Sequence, residues 1–418
     1  MRVFVRLPLA ALALVCSLSG MAAAQEWTRF RGPNGTGIRD VNTIPTRWTL
    51  EDYDWRVKLP GTGHSSPVLW GDKIFLTSAD ETALKRYALC YSALDGSELW
   101  RREYSLTLHD RHKFNSFASA TPAVDEERVY FTWSTPTKYT LFALDHDGHD
   151  VWERDLGAYE SQHSCGTSPI VYEELVILGN DQDGPSSLFG LDRRTGETRW
   201  EVPRKNTNVA YSTPCVWQRE GAGPQLLFNS NAHGITGINP LSGETIWEAP
   251  GVFDKRSCSS PVVVGGLIIG SCGSGGGGNY VVAVNPGTPE QPTPQVAYRL
   301  DGTVPYVPTP LAKDDLLFLW GDAGMVTCVN GRSGEIVWQE RVGDNYFGSP
   351  VCVRDRLYCL SDAGECVVLA AGEEFEELAR NPVGEYSHST PAVSGGRMIL
   401  RTVSWLMSIG GKEQLAAE

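Results

Sequence analysis

The chain has 418 residues, with 50 acidic against 36 basic side chains and a formal charge of −14. Such an acidic balance excludes the basic surface that nucleic-acid binding or docking on anionic lipid requires. Its 44 glycines and 25 prolines suit short strands joined by tight turns, an all-β build rather than a helical one.

Residues 1–24 read as a secretory signal peptide. Arg2 and Arg6 precede an apolar stretch, and Ala22-Ala23-Ala24 supplies small residues before a cut ahead of Gln25. Cys16 raises the alternative of a lipoprotein, but Ala13-Leu14-Val15 lacks the small residue expected before a lipidated cysteine. An exported protein, periplasmic or extracellular and without a transmembrane anchor, is expected. Loss of the two signal arginines takes the charge to −14 − 2 = −16. Nine cysteines remain, with no CxxC or CxxCH spacing. The usual signatures of a metal or c-type haem are therefore missing, while export permits disulfides.

Residues 25–54 are read as an irregular lead-in wrapping the outside of the fold. Residues 55–410 carry a repeat, and 411–418 form a C-terminal tail. Each repeat opens on a proline, at Pro67, Pro122, Pro169, Pro214, Pro261, Pro310, Pro350 and Pro391, at intervals of 40 to 55 residues. Periods of this size mark propellers or solenoids, whose units bury their apolar faces only by stacking on neighbours. In the best-formed unit the proline is followed by four strands, A to D, around Ile170-Val171, Leu175–Leu178, Leu188–Leu191 and Trp200. The Asp192–Gly196 turn joins C to D, with Asp to cap backbone N–H groups and Gly for the positive φ of a bulged hairpin. Strand D recurs around Trp100, Trp152, Trp247 and Trp338, with Tyr298 and Leu378 in weaker copies. A large ring at one point of every outer strand suits packing between sheets. The last repeat has room for three strands only, and Trp55–Leu59 supplies its fourth. Eight prolines and eight D strands predict an eight-bladed β-propeller closed by an N-terminal strand.

The element Gly190–Trp200, repeated as Gly237–Trp247 and Val329–Trp338, resembles that of the quinoprotein-like, or PQQ-repeat, β-propellers, and the resemblance covers nearly all of Trp55–Gly410. The opening Trp27–Gly35 looks like the start of exported bacterial members. That superfamily includes quinone-dependent alcohol dehydrogenases and the non-catalytic outer-membrane assembly lipoprotein BamB, so the resemblance implies the fold without choosing between them. No adjacent cysteine pair is present to cover a quinone, and the calcium-and-base constellation of the dehydrogenases finds no residue-by-residue match. PQQ therefore stays possible but unsupported by specific residues, and no cofactor is expected.

In a four-stranded blade the D–A and B–C connections share one face. His64, His109, His112, His163 and His388 precede an A strand and His233 lies in a B–C turn, whereas only His146 and His149 fall on the other face. His64, His163, His233, Arg256, Tyr306, Tyr346 and His388 are the candidate ligand-binding residues, with Cys165 and Cys258 nearby. His and Tyr at the mouth of a closed β architecture suit binding. His109 and His112 have a ligand-like gap but no acidic partner fixed by spacing, and no metal is expected. Gly273–Gly278 matches GxGxxG but leads into a strand, with no helix end to hold a pyrophosphate. There is no GxSxG elbow, and the serines beside the strand-A prolines recur as structural hydrogen-bonding groups would. Counting outward from the Ser361–Gly364 turn places Cys359 opposite Cys366, as two buried thiols rather than a disulfide. The expectation is a non-catalytic propeller that binds a protein partner or small ligand on the D–A/B–C face. The alternative is a PQQ-dependent oxidoreductase, or another enzyme, using the central pocket.

Overall fold

The computed structural model describes residues 26–411 apart from 207, 220 and 288–292, so the stretch expected to be a signal peptide and the tail beyond 411 lie outside the described residues. Eight four-stranded antiparallel blades surround a central channel, and Ile38–Arg39 adds a fifth, parallel strand to one of them. Blade 3 shows the plan: Ile170–Tyr172 lies innermost, followed outward by Leu175–Asn180, Ser186–Asp192 and Thr198–Arg204. Strands B and C are buried on both faces because each sheet is sandwiched between two others, so they read as continuous apolar runs. Strand D faces solvent on its outer side and alternates instead, as in Glu98–Ser105. Among the described residues the only helical element is the 3-10 turn Pro33–Gly35.

Blade 8 closes as the sequence predicts. Ala392–Ser394, Arg397–Arg401 and Trp405–Gly410 come from the end of the chain, and Trp55–Lys58 completes the sheet. Trp55 lies opposite Ser408 and Lys58 opposite Trp405.

Two sets of contacts lock neighbouring blades. On the outside, the indole N–H of Trp152 donates to Arg193 O at 3.0 Å, and Trp55, Trp100, Trp200 and Trp338 repeat the bond to the next blade's C–D turn at 2.9–3.0 Å. The ring lies on the glycine of that turn: at Gly196, with φ 72°, a Cβ would fall 2.7 Å from Trp152. The tryptophans are thus a packing device. On the inside, at seven blade junctions, the residue before a strand-A proline links to its counterpart in the next blade, backbone N–H to side-chain hydroxyl. The links run Ser66 to Thr121, Thr121 to Ser168, Thr213 to Ser260, Ser260 to Thr309, Thr309 to Ser349, Ser349 to Thr390 and Thr390 back to Ser66, at 2.9–3.1 Å. Proline holds the preceding residue extended, which presents its N–H and hydroxyl sideways to the neighbours.

Two expectations are corrected. The lead-in does not wrap the outside over its first part; it enters the channel. The N–H groups of Leu69, Val124 and Cys352, all on innermost strands, donate to the carbonyls of Trp27, Thr28 and Gly37. Ile38–Arg39 pairs in parallel with Val351–Val353, and the Asn34 amide brackets the backbone of Val216. The inner strands leave their channel-facing backbone groups unpaired, and the lead-in satisfies several of them. Only beyond Arg39 does the chain turn outward, where Trp48 and Tyr53 pack against Tyr358, Asn381 and Pro382 of blade 7 before Trp55 opens strand D of blade 8. The second correction concerns the cysteines. Cys366 lies opposite Leu360, and Cys359 opposite Val367. The hairpin closes at Ser361 and Glu365 over three residues ending in Gly364 at φ 82°, which moves the register by one. The two side chains fall on opposite faces of the sheet, and both are free thiols.

Candidate functional site

On the D–A/B–C face the channel opens into a cavity of about 930 Å³. Its walls follow the repeat. Residues one and three positions before the strand-A proline point the same way, because successive side chains of an extended segment alternate. The position three before contributes His64, Ser119, Gly166, Tyr211, Cys258, Val307, Phe347 and His388, one from each blade. The position one before contributes the hydroxyl belt beneath them. Phe30 of the lead-in lines the inner end, where the lead-in crosses the channel with bonds to inner strands of blades 1, 2, 4 and 7, so the cavity is blind.

His64 and His388 come from D–A loops that become neighbours only where the ring closes, and their ring centres lie 4.4 Å apart. His64 Nδ1 is buried without a hydrogen-bond partner. Burial, then the nearby His388 and Arg401, hold its pKa well below the usual imidazole value. His388 Nδ1 lies 3.2 Å from Phe114 O, and its ring packs 4.1 Å from Phe347. Farther round, His163 stacks on His112 at 4.7 Å, and Arg256 Nη1 lies 3.4 Å from His163 Nε2. Burial, Arg256 and His112 pull the His163 pKa down to about 4. Tyr306 lies beside Arg256 and Cys258, and its N–H donates to Asp322 Oδ2 at 2.6 Å. At neutral pH the imidazoles of this wall are therefore uncharged donors and acceptors.

The cavity thus brings together His64, His163, Arg256, Tyr306 and His388. It does not include Tyr346 or His233. Tyr346 is fully buried against Trp320 at 5.3 Å, while its neighbour Phe347 lines the cavity. His233 sits at the outer part of blade 4, accepting from Lys205 N at 3.0 Å and lying 2.8 Å from Glu248. Sequence reasoning missed Phe30, Lys113, Phe114, Asp322, Arg341 and Phe347. The position three before each proline would have found Phe347. The long D–A loop carrying Phe114 reaches across the mouth to Phe347, 4.9 Å between ring centres, and no spacing announces such a reach.

The family model described as outer membrane protein assembly factor BamB matches residues 85–340 and 292–404. The chain belongs to this BamB family of PQQ-repeat propellers. A curated BamB from Burkholderia pseudomallei is 24% identical over 250 residues, 59% of this chain and 56% of the relative, so the match spans little more than half of that BamB. The crystal structure of BamB from Moraxella catarrhalis superposes with TM-score 0.61 at 16% identity, over 85% of this chain and 98% of that one. Quinohemoprotein alcohol dehydrogenase from Comamonas testosteroni gives TM-score 0.66 at 12% identity, over 96% of this chain and 82% of that one. Identities this low establish the fold shared by BamB and the dehydrogenase and nothing about chemistry. Among the described residues no helix is long and apolar enough to cross a membrane.

Proposed function

We propose that the protein is an exported, non-catalytic BamB-like scaffold that binds a protein partner at the D–A/B–C mouth, in the assembly of the outer membrane. The observation that carries this reading is the blind cavity walled by one loop residue from every blade, with apolar and imidazole side chains on one rim. Such a wall offers contact area and adaptable hydrogen bonds. Quinone chemistry is disfavoured by the donor set. Both carboxylates in the cavity are engaged: Asp322 accepts from Tyr306 N and Val307 N, and Asp362 accepts from Asn345 N and Nδ2. Two carboxylates already committed to N–H donors are a poor start for the oxygen-rich shell that a calcium ion of the kind the dehydrogenases use requires, which weighs against that cofactor.

The test is site-specific photocrosslinking in the protein's own host, with the probe at Phe347 in one sample and at Leu99 on the outer rim in another. Adducts from the mouth that disappear in a His64→Ala/His388→Ala variant of unchanged melting temperature support the reading. Adducts confined to the rim overturn it.

A further inference from the structure

The chain is acidic overall, yet in the mouth the cations outnumber the carboxylates, three to two. Lys113, Arg256 and Arg341 line the cavity against Asp322 and Asp362. Both carboxylates are occupied by N–H donors, as described above. Among the described residues, none of the three cations lies within ion-pair distance of a carboxylate, whereas elsewhere on the surface Arg and Lys pair repeatedly, as in Lys73–Asp147 and Arg102–Asp150. Arg256 Nε donates to Val209 O at 3.2 Å and Arg341 Nη1 to Ala323 O at 2.8 Å. These bonds to neutral carbonyls position the guanidiniums and leave their charge unanswered. Arg256 is half-buried, and a cation so placed is ordinarily paired, so its position in a concave site favours an anion, while the exposed Lys113 and Arg341 extend the positive charge along the rim.

The apolar part of the mouth is aromatic. Phe114 is 45% exposed and meets Phe347, and Lys113 Nζ lies 4.7 Å from the centre of the Phe114 ring. An aromatic group placed there finds ring edges and a cation over a ring face. The channel also shows what shape it accepts. Its far end is filled by an irregular segment of this same chain, Trp27–Arg39, held by backbone bonds to inner strands and by a fully buried tryptophan.

We propose that the mouth binds an acidic polypeptide segment that presents an aromatic side chain. The aromatic residue sits against Phe114 and Phe347, and its flanking carboxylates meet Lys113, Arg256 and Arg341. The assignment rests on the reading that the mouth is the binding face, and names the chemistry of the partner.

Calorimetric titration of the mature protein with a twelve-residue peptide of Asp, Glu, Phe and Ser tests it. Matched peptides carry Lys for every acid, or Ser for every Phe. The acidic aromatic peptide should bind at least tenfold more tightly than either, and Lys113→Gln/Arg341→Gln, two exposed sites, should weaken it about tenfold, as loss of charge-assisted hydrogen bonds does. Equal or tighter binding of the Lys peptide, binding indifferent to that double variant, or no heat with any peptide overturns the proposal. Displacement by benzene-1,3,5-tricarboxylate at equal concentration overturns it in favour of a small polyacid site. If photocrosslinks still form from Phe347 in any of those cases, the mouth remains the binding face and only the charge assignment falls; if they do not, both readings fall.

Discussion

The backbone N–H of Thr390 donates to Ser66 Oγ at 3.0 Å, joining the last blade to the first across the seam where the ring closes. Both residues are buried. Ser66→Ala leaves the Thr390 N–H without its acceptor and should cost about 1–3 kcal/mol, the penalty for a buried unsatisfied donor. Ser66→Thr keeps the hydroxyl and should lose less. Urea unfolding of the three proteins measures both, and identical midpoints would mean that the belt carries no stability.

Removal of Glu26–Pro60 takes away Trp55–Lys58 and exposes the edge of Trp405–Gly410. An unpaired strand edge templates association, so this protein should aggregate. Removal of Glu26–Arg39 alone keeps the closing strand and should give a monomer of lower melting temperature. Light scattering after gel filtration separates the two. A monomeric, unchanged first truncation would defeat the closure by Trp55–Lys58.

Gly196→Ala should destabilise by about 1–3 kcal/mol, since the methyl group strains a positive φ and collides with the Trp152 ring. Gly157 also has positive φ but has open space around its missing Cβ. Gly157→Ala therefore reports the backbone strain alone. Chemical unfolding of the pair isolates the docking of the tryptophan; equal losses would assign the whole effect to φ.

Acid should destabilise the protein through His64. Its folded pKa lies well below 6.5, the unfolded value, so as pH falls the unfolded chain takes up a proton that the folded chain refuses. Stability is unaffected by this group above about pH 6.5 and declines below it. His163 adds the same sign down to its folded value of about 4. Melting temperature followed from about pH 7.5 to about pH 4.5 should fall less steeply in His64→Leu than in the parent. Parallel curves for the two proteins would show that His64 takes no part.

What repeats was legible in the chain, because each blade must bury the same faces: the strand-A prolines and the strand-D tryptophans fixed the blade number and the closing strand. Trp27–Arg39 was not, since a segment without periodicity gives no sign of its route. Arg29 and Arg31 would ordinarily mark a surface, yet both are buried in the channel and burial lowers their pKa values to about 10 and about 9. The mouth was half legible. A D–A loop assigns a residue to the right face of the ring, but parity with the proline does not by itself decide which side chains enter the channel: Phe347, three before Pro350, lines the cavity and Tyr346, four before it, does not, whereas Tyr306, four before Pro310, does. Parity governs the cysteines, where one residue fewer in the hairpin loop sends Cys359 and Cys366 to different sides.

Phe30 stands as a stopper in the ring, and the propeller is therefore a cul-de-sac. A bound segment has to arrive and depart through the same aperture, and nothing can be drawn through from one face to the other. Residence time is accordingly set at the rim, by the loop that carries Phe114 and by the side chains it meets, rather than by anything deeper in the barrel of strands.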